Sequence, residues 1–364
     1  MKYFIVAGEK SGDMHAGNLC LELLKSQPDA EMIGWGGEKM EGAGVKILKN
    51  YRELAFMGFW EVIKNLPAIL GFFKLAKKQI KDFNPDMVIL VDYAGFNLKL
   101  AKWAKKEGFN VVYYIAPKAW AWRASRAETI KKYVDLLLVI FPFEKAFFEK
   151  CGINTRFVGN PLFDEIAKFE ANKNFKEDNG LTDKPIVALL PGSRKQEIEN
   201  MLGLMSSLTK EYADIQWVVA GISNFETGFY TVHGGDFKVV LDQTYDLLSV
   251  ADAAVVTSGT ATLETALFKV PQVVVYKTSN FSYQIAKRLV QIKYISLVNL
   301  VAEKEVVREL IQEEYSLENT KNELEKLLFD NKFRDNQLIE YNGIIETLGT
   351  SKASANAALE ILKL

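Results

Sequence analysis

Nine short runs of aliphatic and β-branched residues recur along the chain, each followed by a longer stretch of helical character. Tyr3–Ala7, Met87–Val91, Val111–Ile115 and Leu136–Ile140 fall in the first half. Ile186–Leu190, Trp217–Ala220, Val239–Leu241, Ala253–Thr257 and Gln272–Tyr276 fall in the second. A run that is apolar at nearly every position must be covered on both faces, which is the situation of a parallel sheet flanked by helices. Between the two sets, Lys168–Lys184 reads KFEANKNFKEDNGLTDK and has almost no large aliphatic residue. The pattern predicts an α/β fold of two Rossmann-like, doubly wound domains facing a cleft. The expected boundaries are residues 1–165, residues 166–340 and a helical segment 341–364 that packs back on the first domain. From Leu317 onward the chain reads as helical, with a last helix at Ala353–Leu362. Ligands of such sheets bind at the carboxyl ends of the strands.

Charge narrows the function. With 45 Lys plus Arg against 46 Asp plus Glu, the chain lacks the basic excess of a nucleic-acid binder. Residues 1–165, however, hold 24 basic and 19 acidic side chains, a net of +5, leaving −6 for the remainder. The first half is therefore the one suited to an anionic surface. Two histidines are too few for a histidine-rich metal site, and Cys20 and Cys151 have no CxxC spacing, so they read as reduced thiols. The apolar run Tyr3–Gly8 stops at Glu9-Lys10, too short for a signal-peptide core, and no run reaches about 18 residues. A cytoplasmic protein is expected.

Four strand ends carry chemistry. The first strand runs into Gly8-Glu9-Lys10-Ser11-Gly12-Asp13, a glycine-rich turn before a helix that can present backbone N–H groups to an anion or be capped by Ser11 or Asp13. It is neither a dinucleotide fingerprint nor a P-loop. Pro191-Gly192-Ser193-Arg194 follows a strand directly: glycine admits a ligand, serine can cap, and arginine offers a planar fork to two phosphate oxygens. Ser258-Gly259-Thr260 opens another helix, with Glu264 placed to accept hydrogen bonds from ribose hydroxyls. Asp92 ends a strand where open α/β sheets hold their chemistry, or caps the helix near Asn97. No residue pattern suggests a metal or another cofactor. Between Phe56 and Lys81, apolar residues recur at Phe59, Ile63, Leu66, Leu70, Phe73 and Ile80 among five lysines, as a core face or an interfacial helix that Pro67 breaks in two.

Taken in order, these strings resemble the lipid-A-disaccharide synthase family. They are Ala7-Gly8-Glu9 through Ser11-Gly12-Asp13, Glu53-Leu54-Ala55-Phe56-Met57-Gly58, Asp92 with Phe96-Asn97, and Trp120-Ala121-Trp122. They continue with Phe141-Pro142-Phe143-Glu144, Leu190-Pro191-Gly192-Ser193-Arg194, Ser258-Gly259-Thr260-Ala261 to Glu264, and Asn299-Leu300. The resemblance implies a GT-B type glycosyltransferase, metal-independent and inverting. It would join UDP-2,3-diacylglucosamine to 2,3-diacylglucosamine 1-phosphate on the inner membrane, releasing UDP. It implies Asp92 as the general base, and Gly192, Ser193, Arg194, Ser258, Gly259, Thr260, Glu264 and Asn299 at the UDP site. Glu9, Ser11, Gly12, Asp13, His15, Asn97, Trp122 and Arg123 are then acceptor-side candidates, with Glu9 and His15 rivals for the base. Met57, Phe59, Trp60, Ile63 and Phe73 are candidates for acyl-chain or membrane contact. A homo-oligomer stays open. Ala94, Ala116, Asn160 and Val298 depart from the family pattern. A UDP-sugar epimerase of the same fold, or a non-catalytic sugar- or lipid-binding protein, is the alternative.

Overall fold

The apolar runs assemble into two parallel sheets, seen in a computed structural model that describes residues 1–54, 66–117, 124–279, 283–284, 293–349 and 352–364. The first sheet has the order β3-β2-β1-β4-β5-β6-β7. Its strands are β1 Lys2–Ala7, β2 Glu31–Gly36, β3 Lys46–Asn50, β4 Met87–Val91, β5 Asn110–Tyr114, β6 Leu136–Val139 and β7 Thr155–Phe157. The second repeats the same winding, β10-β9-β8-β11-β12-β13. It is built from β8 Ile186–Leu190, β9 Gln216–Gly221, β10 Lys238–Leu241, β11 Ala253–Thr257, β12 Gln272–Tyr276 and β13 Glu309–Ile311. This is the two-domain GT-B architecture. In each sheet the winding reverses beside the first strand, between β1 and β4 and between β8 and β11, which opens a crevice at their carboxyl ends.

Strand alternation decides which helix covers which face. In β1, Phe4 and Val6 join the core against Ala76, Ile80, Leu100 and Ala104, from the helices Leu66–Phe83 and Ala94–Lys106. Tyr3, Ile5 and Ala7 point the other way, to Leu19, Leu23, Ala357 and Ile361 of the helices Lys10–Ser26 and Ala353–Ile361. In the second sheet Val187 and Leu189 pack toward Met201 and Met205, while Ile186, Ala188 and Leu190 pack toward Leu247 and Leu248. Every residue of β4, β8 and β11 is buried, so each reads as an unbroken apolar run.

The chain divides into one unit of Met1–Ala167 with Gly349–Leu364 and another of Lys168–Leu348. The returning segment thus starts at Gly349 rather than at 341, because the helix Asn331–Leu348 runs unbroken within the second unit. Its last helix is tied to the first unit by Asp164, whose carboxylate accepts from the N–H groups of Lys352 (2.5 Å), Ala353 (3.2 Å) and Ser354 (2.9 Å). Negative charge at a helix N-terminus satisfies donors that the helix itself cannot. Asn356 donates to the Val158 carbonyl (3.0 Å) and strengthens the attachment.

Pro67 lies in the first turn of Leu66–Phe83, where a missing N–H costs nothing, and the residues before Leu66, on the far side of the expected break, lie outside the described residues. Phe73 is half-buried, with its ring 4.6 Å from that of Phe96, and packs on the core. Met57, Phe59, Trp60 and Ile63 lie outside the described residues. Cys20 is buried and Cys151 half-buried, both as free thiols.

Candidate active site

The end of β4 turns sharply. Asp92 and Tyr93 are both left-handed, with φ of 46° and 49°, before the helix Ala94–Lys106 begins. Asp tolerates that conformation, whereas for a bulky residue it is strained, and such strain persists only where neighbours enforce it. Here they do. The Asp92 N–H donates to the Tyr114 carbonyl (3.0 Å), and the Asp92 carbonyl accepts from Tyr113 Oη (2.6 Å) and Asn97 Nδ2 (2.9 Å). Tyr93 donates its hydroxyl to the Leu54 carbonyl (3.2 Å). Its ring covers Gly8, where a Cβ would come within 2.3 Å of Cδ1, so only glycine allows the β1 and β4 turns to close on each other. The half-buried Asp92 side chain thus projects from a fixed backbone at the crevice.

The glycine-rich turn after β1 differs from its expected form. The helix starts at Lys10 with Glu9 as its N-cap residue and no side-chain cap, so neither Ser11 nor Asp13 caps it. Ser11 is exposed, Glu9 half-buried and Gly12 buried. Asp13 is only 2% exposed, and its carboxylate accepts from Gly37 N–H (2.6 Å), Lys39 N–H (3.1 Å) and Met40 N–H (3.2 Å). It closes the start of the helix Glu38–Gly42 and is therefore not offered to an acceptor. Asn97 is corrected likewise: fully buried, its amide reaches the carbonyls of Val6, Val91 and Asp92. His15 is buried with Nδ1 unpartnered, and burial lowers its pKa to about 4, against a smaller opposing pull from Asp164. It is a neutral and very weak base near neutral pH. Trp122 and Arg123 lie outside the described residues.

In the second unit the two turns flank the β8–β11 crevice. Gly192 has φ of +106°, and Ser193 and Arg194 are exposed. Serine was expected to cap here, but Glu197 does so instead: its Oε2 accepts from the N–H groups of Ser193 and Arg194 (both 3.3 Å). Its Oε1 takes Arg194 Nη1 at 3.0 Å. A carboxylate thus holds the guanidinium and the two N–H donors that an anionic ligand would use. The x-x-Glu spacing of a capping box was the readable signal for it. Across the crevice, Ser258 Oγ donates to the Ile295 carbonyl (2.9 Å), Gly259 precedes the helix Thr260–Leu267, and Thr260 is exposed on its first turn. Glu264 is half-buried; burial raises its pKa, and a hydrogen bond from Tyr245 (2.9 Å) acts against that rise. Asn299 is corrected to a brace, fully buried with Nδ2 on Val307 O (2.8 Å) and Glu309 Oε1 (2.9 Å). Its Oδ1 accepts from Val306 and Val307 N–H. Among the described residues, no group of three or more His, Cys, Asp or Glu is arranged to hold a metal ion.

Comparison with known proteins identifies the family. The family model for lipid-A-disaccharide synthetase matches residues 3–361. The chain belongs to the lipid-A-disaccharide synthase family. A lipid-A-disaccharide synthase of Geobacter sulfurreducens is 37% identical over 375 residues, covering 100% of this chain and 97% of the relative. That of Syntrophus aciditrophicus is 38% identical over 370 residues, covering 99% and 97%. Membership makes the chain a hexosyltransferase of lipid A disaccharide formation, with a UDP-sugar donor and a phosphorylated sugar acceptor. Solved structures agree on the fold alone. A UDP-GlcNAc 2-epimerase of Neisseria meningitidis bound to UDP-GlcNAc has a TM-score of 0.68 at 14% identity, covering 100% of both chains. A sucrose-phosphate synthase of Thermosynechococcus elongatus has 0.63 at 12%, covering 100% and 98%. The epimerase alternative thus shares the architecture and lacks the family's sequence.

Proposed function

We propose that the chain condenses UDP-2,3-diacylglucosamine with 2,3-diacylglucosamine 1-phosphate, with Asp92 as general base. A primary hydroxyl of the acceptor is a poor nucleophile. As its oxygen bonds to the donor's anomeric carbon, the proton passes to the Asp92 carboxylate and the bond to the UDP oxygen breaks. Attack opposite the leaving group inverts an α-linked donor to a β-1,6-linked product, with no covalent sugar–enzyme intermediate. Charge gathers on the departing diphosphate, where Arg194, exchanging Glu197 for phosphate oxygens, and the N-terminus of the helix Thr260–Leu267, which has no side-chain cap, stabilise it without a metal. The observation that carries this reading is the Asp92 elbow, whose backbone is held by Tyr114, Tyr113 and Asn97 at a strand end. Its rivals are less well suited: His15 is buried and resists the proton, and Glu9 begins a helix.

The reading includes peripheral attachment to the cytoplasmic face of the inner membrane through the first unit. Its support is the basic balance of residues 1–165 and Lys74 and Lys78, exposed on the helix Leu66–Phe83. Among the described residues no helix is long and apolar enough to cross a membrane.

Mass spectrometry of the product formed from the two acylated sugars tests the reaction, and Asp92→Asn tests the base. General-base catalysis is worth about 10²–10⁴-fold, so kcat should fall by that order with UDP affinity nearly unchanged. Wild-type turnover by a folded Asp92→Asn enzyme removes Asp92 from the role. Activity should persist in EDTA.

A further inference from the structure

We propose that Tyr245 is the positioning residue for the donor ribose, holding one oxygen of Glu264 so that the other faces the sugar hydroxyls. The inference rests on the reading of Glu264 as the ribose ligand. Tyr245 belongs to the helix Thr244–Val250 and Glu264 to the helix Thr260–Leu267, and the phenol donates to Glu264 Oε1 at 2.9 Å. The phenol is itself fixed. Its ring meets Phe169 edge-on at 5.5 Å and Phe268 at 5.0 Å, and those two rings meet each other at 5.8 Å. Three mutually packed rings leave the hydroxyl little freedom.

The second task of Tyr245 is electrostatic. A ribose hydroxyl donates best to an ionised carboxylate, and burial pushes Glu264 toward its neutral acid. The Tyr245 hydrogen bond favours the ionised form and acts against burial. Few other groups interfere. The helix packs against β11, β12 and the helices Leu297–Ala302 and Asn331–Leu348. The first three carry no charged residue. The fourth carries Lys332, Arg334, Asp335, Glu340 and Glu346, and none of these shifts Glu264.

The experiment compares UDP with 2′,3′-dideoxy-UDP by calorimetry across pH 4.5–8 in the full chain. The affinity ratio cancels titration of the ligand's phosphate. Tyr245→Phe keeps the ring contacts and removes the hydroxyl. The wild-type preference for UDP should shrink roughly three- to tenfold at neutral pH, the net worth of one ordinary hydrogen bond. The pH at which the preference is lost on acidification should move up, because Glu264 then protonates more readily. Glu264→Gln should abolish the pH dependence of the preference. If Glu264→Gln leaves the preference and its pH dependence intact, the ribose reading itself fails. If Glu264→Gln abolishes that dependence while Tyr245→Phe keeps the wild-type ratio and midpoint, Tyr245 is not the positioning residue. Equal weakening of both nucleotides by Tyr245→Phe also overturns the proposal. Should that variant not fold, 3,5-difluorotyrosine at 245, a stronger donor, must move the midpoint down; an unchanged midpoint refutes the role.

Discussion

Replacing Asp13 separates a structural carboxylate from a catalytic one. The residue lies in a motif typical of the family, in the turn that follows β1, yet its two oxygens accept three backbone N–H groups at 2.6, 3.1 and 3.2 Å. Hydrogen bonds to a charged acceptor are worth about 1.5–3 kcal/mol each, and three sharing one carboxylate do not add fully. Asp13→Ala leaves those donors orphaned, two of them in fully buried bonds, and should cost about 3–4 kcal/mol. In a unit of this size that is roughly 6–16 °C in melting temperature. Asp13→Asn keeps one acceptor oxygen and should lose about half as much. Hydrogen exchange locates the damage: amides of β1 and β2 should lose protection while those of β8 and β11 keep theirs. Turnover measured well below the melting temperature should stay within a few-fold of wild type. A variant that melts like wild type but turns over a hundredfold more slowly would refute the argument and return Asp13 to the chemistry.

Arg194→Ala should weaken UDP at least about tenfold in calorimetry, and unchanged affinity would take the guanidinium out of the site. Burial depresses the folded-state pKa of His15 from 6.5 to about 4, so the folded form binds its proton less readily than the unfolded one. Its contribution, on the order of 3 kcal/mol, is complete above pH ~6.5 and is lost as pH falls toward 4. Denaturant titrations of His15→Gln should lack that acid arm, and an unaltered arm assigns it elsewhere. Phe73→Ala should cost about 2–3 kcal/mol of stability and leave cosedimentation with anionic liposomes unchanged, whereas Phe59→Ser with Trp60→Ser should reduce cosedimentation. The reverse pattern would place lipid contact on the helix Leu66–Phe83.

What could be read in advance follows from how each element is buried. β4, β8 and β11 are covered on both faces, and so are written as aliphatic runs. β2 and β3 were not anticipated, because EMIGWG carries two glycines and KILKN is a half-exposed edge. β7 and β13 are three residues each, too short to show any period. At the site, glycine announced the turns, but a sequence states which polar group is present and not what consumes its lone pairs. Asp13, Asn97 and Asn299 looked like ligands and proved to be bound to backbone. Glu197 had a legible spacing from Arg194. Tyr245 had none, since its partner Glu264 is remote in sequence and the two meet only through the packing of two helices.

The attachment of the helix Ala353–Ile361 to the first unit has a consequence for synthesis. Domains generally fold as they emerge, amino-terminal first. Here residues 1–167 can form strands on the ribosome, but Tyr3, Ile5, Tyr114 and Leu138 share a core with Ala357 and Ile361, which are translated only after the whole of the second unit. The second unit is one continuous stretch, Lys168–Leu348, and is complete earlier. Although translated first, the first unit is finished second. Through that interval, part of its sheet and the Asp164 carboxylate wait uncovered for a helix still to be translated.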